Sequence, residues 1–223
     1  MRFFTGLIVV SLAAVLSAPA LGQGLVLNRF DNAAEVSRWR HDFGLPATLS
    51  FDAARDAGGS ASSGSLKVEA TFSATAVDNK TAVTTDAFAT PTNVSGYTAL
   101  EADFFILPGS AESFNPGSNV HGYHQFAIRN TNNYNYQSEG GRNFGPSGQW
   151  VHVSVPVASF AQPVDAMRAL TMQLYGGPGH NLNGPVTFWV DNVVFVPEPA
   201  TAALVLPAAA ALLLRRRATR TAR

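Results

Sequence analysis

The stretch 123–137, YHQFAIRNTNNYNYQ, concentrates the side-chain types that recognise sugars. A sugar offers flat C–H patches and many hydroxyls, so its site needs aromatic faces beside amide and guanidinium groups. Successive side chains of a strand point to opposite faces. His124, Phe126 and Ile128 are therefore expected in the core, with Tyr123, Gln125, Ala127 and Arg129 on the other face and Tyr134 and Tyr136 sharing a face on the next segment. Tyr123, Gln125, Arg129, Tyr134 and Tyr136 are the candidate ligand-binding residues. The plainer alternative is a wet sheet face coated with tyrosines and amides.

A second constellation is Glu101 and Asp103. Two apart on one strand, they point the same way, roughly 7 Å apart by the strand rise, within the separation of an inverting glycosidase pair. Paired carboxylates on the solvent face of an acidic domain are the stronger reading. His121 and His124 fall on opposite faces of a strand and make no metal pair. His41, His152 and His180 are isolated, and no Gly-x-Ser-x-Gly, His-Glu-x-x-His or phosphate-binding glycine loop occurs. Asp191 sits among apolar neighbours beside Trp189 and Val193, and a buried carboxylate needs a partner. Trp39, Trp150 and Trp189 read as core. No catalytic residue is assigned.

The last 28 residues carry a different chemistry. Pro197-Glu198-Pro199 is followed by an apolar run, 200–214, interrupted only by Thr201 and Pro207, and then by Arg215-Arg216-Arg217. The prolines fix φ and remove donors, so neither the preceding strand nor a helix is expected to continue through them. As a helix the run reaches roughly 22 Å, short against a hydrocarbon core of about 30 Å. The arginines hold the C-terminus on the cytoplasmic side. This order of tripeptide, apolar helix and basic end predicts a transient membrane hold that is later cut.

The N-terminus agrees. Arg2 forms a charged start, 7–16 an apolar core, and Ala20-Leu21-Gly22 offers small residues before a cut at Gln23. This pattern predicts a secretory signal peptide over 1–22, a passenger domain over 23–196 and a sorting tail over 197–223. The formal charge of zero hides the passenger: residues 24–196 hold nine Lys and Arg against 14 Asp and Glu, a net −5. A mildly acidic passenger is expected not to bind nucleic acid, which needs a basic face. The chain has no cysteine, which excludes thiol catalysis and Cys-based zinc sites and leaves an exported domain to be held by its core alone.

The elements that must position these residues are short strands. Alternation and turn clusters predict strands at 25–30, 47–51, 66–72, 81–87, 100–107, 123–129, 134–138, 151–157, 170–175 and 186–195. Leu66, Val68 and Ala70 oppose Lys67, Glu69 and Thr71, and Val151, Val153 and Val155 oppose His152 and Ser154. No long period of 3.6 appears in the passenger. About ten strands at this spacing predict an all-β sandwich or barrel.

Two resemblances follow from these residues. The tail, with Pro197-Glu198-Pro199 and Arg215-Arg216-Arg217 around the apolar run, is similar to the PEP-CTERM sorting signal of Gram-negative bacteria. That likeness implies an exosortase as partner, a transient inner-membrane stage and delivery to the cell surface or an exopolysaccharide matrix. Pro207 departs from a regular helix and should kink it, which a membrane segment tolerates. The passenger's landmarks are Phe30-Asp31, Trp39, Gly64-Ser65-Leu66-Lys67-Val68, Gly148-Gln149-Trp150-Val151 and Val190-Asp191-Asn192-Val193. Their order resembles the galactose-binding-like jelly rolls that include many carbohydrate-binding modules. That implies a jelly-roll β-sandwich and a non-catalytic polysaccharide-binding role. It also implies a structural calcium at Asp191, with Asp31 as companion because calcium takes several oxygens. A weakly marked hydrolase or lyase, and a purely adhesive surface protein, stand as the alternatives.

Overall fold

The computed structural model describes residues 24–73, 79–86, 88–108, 123–130, 133–138, 142–143, 146–161, 163–176 and 184–197. The predicted signal peptide, Glu198, Pro199, the apolar run and Arg215, Arg216 and Arg217 lie outside these residues, as does His121. Among the described residues no helix is long and apolar enough to cross a membrane.

Twelve strands run through the described residues: β1 (Leu25–Asn28), β2 (Trp39–Gly44), β3 (Ala47–Asp52), β4 (Ser65–Phe72), β5 (Lys80–Thr85), β6 (Tyr97–Ile106), β7 (Tyr123–Arg129), β8 (Tyr134–Tyr136), β9 (Arg142–Asn143), β10 (Trp150–Pro156), β11 (Ala169–Tyr175) and β12 (Gly184–Pro197). They form two antiparallel sheets. The back sheet has the order β10-β6-β12-β4-β3, with β1 also on β12. The front sheet has the order β2-β5-β11-β7-β8, with β9 also on β7. The chain passes back and forth between the sheets, as a jelly-roll sandwich does. One short helix, α1 (Ala33–Val36), follows β1. Asn32 caps it, and Glu35 turns back to accept the N–H groups of Arg29 and Phe30 at 3.0 and 2.9 Å.

Alternation builds the core. Leu66, Val68, Ala70 and Phe72 of β4 point inward with at most 6% exposure, while Lys67, Glu69 and Thr71 face out. Phe104, Phe126, Phe195, Leu100, Ile128, Leu170 and Leu174 meet them between the sheets. Each such side chain contributes about 1.5–3 kcal/mol on burial, and this core carries a fold that has no disulfide.

β12 is the spine of the back sheet. One flank pairs with β6 from Phe188 to Pro197. The other pairs with β4 up to Val190 and with β1 from Val193. The partner changes at the bulge Asp191-Asn192, where Asn192 has φ 50°, a left-handed value that Asn adopts more readily than most side chains. β12 runs on to Pro197, which pairs with Tyr97, so the expected stop before the Pro-Glu-Pro tripeptide falls one residue late. A proline at the end of a strand breaks no interior ladder bond.

All ten predicted strands fall on strands. β2 and β9 were not predicted. β2, with sequence WRHDFG, lacks alternation because a bulge lies between His41 and Phe43. Gly44, at its end, has φ 82°, and a Cβ there would lie 2.3 Å from the carbonyl oxygen of Lys80. Gly44→Ala is expected to destabilise the domain by at least about 2 kcal/mol, read as a lower urea midpoint; an unchanged midpoint would contradict this account of the β2–β5 contact.

Candidate functional site

The front sheet's outer face is built by register. On β7, His124, Phe126 and Ile128 turn into the core with 2%, 0% and 0% exposure, as their alternation predicts. His124 stacks on Phe104 at 5.3 Å. Gln125, Ala127 and Arg129 take the other face. Thr84, Thr171, Ala127 and Tyr136 form one cross-strand row, Ala82, Gln173 and Gln125 a second, and Ala169, Arg129 and Tyr134 a third. Four of the five predicted binding residues are thus gathered on one face. Tyr123 begins β7 opposite Tyr175, and its side chain lies outside the described set.

The bulge in β2 supplies what the sequence did not reveal. His41 pairs with Val83 and Phe43 with Ala82, so Asp42 is the extra residue. Its carboxylate accepts from the Tyr134 hydroxyl at 2.9 Å, from Arg129 Nη1 at 3.2 and 3.4 Å, and from the Thr171 hydroxyl at 3.3 Å. The Tyr134 ring meets Phe43 edge-on at 5.5 Å, stacks beside Tyr136 at 5.9 Å, and lies under the Arg129 guanidinium at 4.4 Å. Burial, then the hydrogen bond and charge of Asp42, push the Tyr134 hydroxyl above its ordinary value.

These bonds join opposite edges of one sheet. On a flat sheet β2 and β8, four spacings apart, would stand roughly 19 Å from one another. The front sheet is therefore curled into a trough, and its side chains span it. Beneath the span lie Ala82, Thr84, Ala127 and Thr171, all with 0% exposure. Small residues at the floor let the rims approach. The sequence signal for Asp42 was the loss of alternation between Trp39 and Gly44, legible only once β2 is known to be a strand.

The back sheet's outer face holds the remaining candidates. Asp103 pairs with Asp191 on one side and His152 on the other. His152 Nδ1 lies 2.9 Å from Asp103, Asn192 Nδ2 donates to Asp103 at 2.9 Å, and the Ser154 hydroxyl donates to Glu101 at 3.4 Å. Both carboxylates of the considered glycosidase pair are thus engaged by neighbours. Trp39 is buried, its Nε1 donating to Asn28. Trp189 is buried at 4% exposure, as expected, but on this outer side of the sheet, and Trp150, expected in the core, is half-buried beside it. Phe105 stands between them, and Arg55 lies over Phe105 at 4.0 Å and over Trp189 at 4.1 Å.

Asp191 has 0% exposure, and its oxygens accept the N–H groups of Ala57 at 2.8 Å and Asn192 at 2.7 Å. Asp31 accepts from the Ser63 hydroxyl at 2.9 Å. The two aspartates therefore hold the two ends of one loop, 57–63. The Ser65 hydroxyl, fully buried, has no hydrogen-bond partner. Among the described residues no three of His, Cys, Asp and Glu gather as metal ligands. A calcium ion takes oxygen ligands, and Asp31 and Asp191 are the carboxylates that would hold it, although both Asp191 oxygens already accept backbone N–H groups. It would supply no reaction, only a tether for the loop.

No family model matches the chain, and no curated protein matches it in sequence. Solved structures match it in shape. A family 11 carbohydrate-binding module of the cellulosomal cellulase Lic26A-Cel5E of Clostridium thermocellum gives a TM-score of 0.53 at 13% identity, over 80% of this chain and 96% of the module. The CBM27-1 module of Caldicellulosiruptor saccharolyticus, in complex with mannohexaose, gives 0.53 at 16% identity, over 80% of this chain and 100% of the module. An exo-beta-agarase gives 0.55 at 12% identity over 78% of this chain, and only 26% of its own length is covered. The likeness is one of fold.

Burial pushes the Asp191 carboxyl up from 3.8 to about 6; the charges of Asp56 and Asp103 add to this, and the two N–H bonds oppose it. With the folded value raised, the stability this group contributes is full below about pH 4 and is lost as pH rises through about 6. In EDTA, the Tm advantage of the wild type over Asp191→Asn should shrink from pH 4 to pH 7; a growing advantage is the contrary result. Calcium held here should raise the wild-type Tm at pH 7 and leave Asp191→Asn unmoved.

Proposed function

We propose that this chain is an exported, non-catalytic polysaccharide-binding protein whose binding face is the concave side of the front sheet. The observation that carries this reading is the convergence of Tyr134, Tyr136, Arg129 and Gln125 there, beside Asp42 and Phe43. Ring faces offer contact to sugar C–H patches, and amides and hydroxyls exchange hydrogen bonds with sugar hydroxyls. The shared fold supports it, since two neighbours are named as carbohydrate-binding modules and one of them is in complex with mannohexaose. The Glu101–Asp103 pair lies on the other sheet, tied to His152, Ser154 and Asn192, and no catalytic role is assigned to it.

The proposal includes the chain's route. The signal peptide over 1–22 directs export, the apolar run over 200–214 holds the protein briefly at the inner membrane, and an exosortase acts at Pro197-Glu198-Pro199. The passenger then reaches the cell surface or extracellular matrix. Asp31 and Asp191 are proposed to take a structural calcium, for which the pH series in EDTA and calcium is the test.

Tyr136→Ala should weaken binding roughly tenfold, on the order of 1.4 kcal/mol, in affinity electrophoresis through polysaccharide-loaded gels, with polymer length unchanged during the assay. Wild-type passenger that is retarded by no polysaccharide, with or without calcium, would sink the binding reading. Replacing Pro197, Glu198 and Pro199 by alanine should leave an uncut precursor in the membrane fraction by immunoblot, whereas release at the normal size would refute the sorting reading.

A further inference from the structure

The bridge across the front sheet has a consequence for what can enter. Asp42 and Phe43 belong to one edge strand, and Tyr134 belongs to the other. Their contacts cross the whole concave face at the level of Thr171 and Ala127, which have 0% exposure beneath them. A sugar chain lying along the strands would meet this bridge as a wall. A chain lying across the strands would find its place already filled by the same side chains. In either direction, an internal stretch of polymer cannot rest on the floor of the sheet at this level.

On one side of the bridge the same face continues through Gln125, Gln173 and Tyr175. Gln125 and Tyr175 are half-buried, and Lys80 stands opposite Tyr175 with its ammonium 5.4 Å from the Phe43 ring. Gln173 is buried at 6% exposure, so this side offers a ring, one amide and a cation, with the bridge at its inner end. A glycan laid on these residues along the strands meets the bridge and stops there.

We propose that the front face recognises the ends of polysaccharide chains rather than internal segments, with the Asp42–Tyr134 bridge as the device that sets this specificity. The inference rests on the binding reading above. The Arg129 contact to Asp42 and the Phe43 contact to Tyr134 hold the bridge in place.

The experiment uses the full passenger with two polymers, mannan and mixed-linked β-1,3-1,4-glucan, each intact and after partial hydrolysis that doubles the number of ends at constant mass. Chain-end recognition predicts that bound protein per gram doubles on hydrolysis, and that mannohexaose competes with mannan at equal concentrations of ends. Asp42→Ala removes the acceptor of the bridge and should make bound protein per gram independent of hydrolysis. Asp42→Asn and Tyr134→Phe, milder changes, accompany it, and circular dichroism confirms that each variant is folded. Wild-type binding per gram that stays constant on hydrolysis overturns the chain-end inference while leaving the binding reading intact. Absence of wild-type binding to a panel of neutral and acidic polysaccharides removes both.

Discussion

The carboxylate of Asp42 is where the two edges of the front sheet meet, and the shape of the candidate site depends on it. An Arg–carboxylate pair with side-chain exposures of 23% and 12% gains little net stability, because desolvation offsets most of the attraction. The same carboxylate also accepts from Tyr134 and Thr171. Removing one member leaves the others partly desolvated and unpaired, which costs more than the intact network contributes. The network therefore fixes geometry more than it adds stability. It holds β2 and β8 at side-chain distance, and the floor of Ala82, Thr84, Ala127 and Thr171 makes that approach sterically possible.

The two outer faces of the sandwich handle acidity differently. The passenger carries a net −5, and several of its carboxylates are tied locally. Asp86 pairs with Arg40, Asp42 with Arg129, and Asp103 with His152. Asp191 is buried at the point where β12 changes partner, and its oxygens satisfy the N–H groups of Asn192 and of Ala57 on the loop above. A bulge leaves ladder groups unpaired, so a carboxylate at this step is a structural answer to a backbone requirement. This reading explains a buried acid in an apolar strand without any catalysis. Glu101 and Asp103, two apart on a strand, are likewise tied to neighbours, Glu101 to Ser154 and Asp103 to His152 and Asn192.

Much of the fold was legible in the sequence, because alternation is a property of one strand at a time. Leu66–Lys67–Val68–Glu69 announces both its strand and its buried face, and so does His124–Gln125–Phe126. Gathering Gln125, Arg129, Tyr134 and Tyr136 on one face needed only that rule and a short connection. β2 was missed because its bulge destroys the signal that alternation relies on: WRHDFG carries Trp39 inward and Asp42 outward with no period of two between them. Trp189 is buried as expected but on the outer side of its sheet, and Trp150 is only half-buried. Large aromatic residues are taken as core by default, whereas here Arg55 covers an aromatic row on the outside of the back sheet.

Asp42 lay beyond any reading of single segments. Its partners come from β7, β8 and β11, 87 to 129 residues further along the chain. Whether two edge strands approach is decided by the curl of the intervening sheet, and that curl follows from small residues at facing positions on three strands: Ala82 and Thr84, Ala127, and Thr171. Each is unremarkable in its own segment. Only the register that aligns them across β5, β11 and β7 turns four modest side chains into a floor low enough for the rims to close over. The aromatic and amide residues that chemistry pointed to thus share one face of the front sheet, and the small residues between them let its rims close.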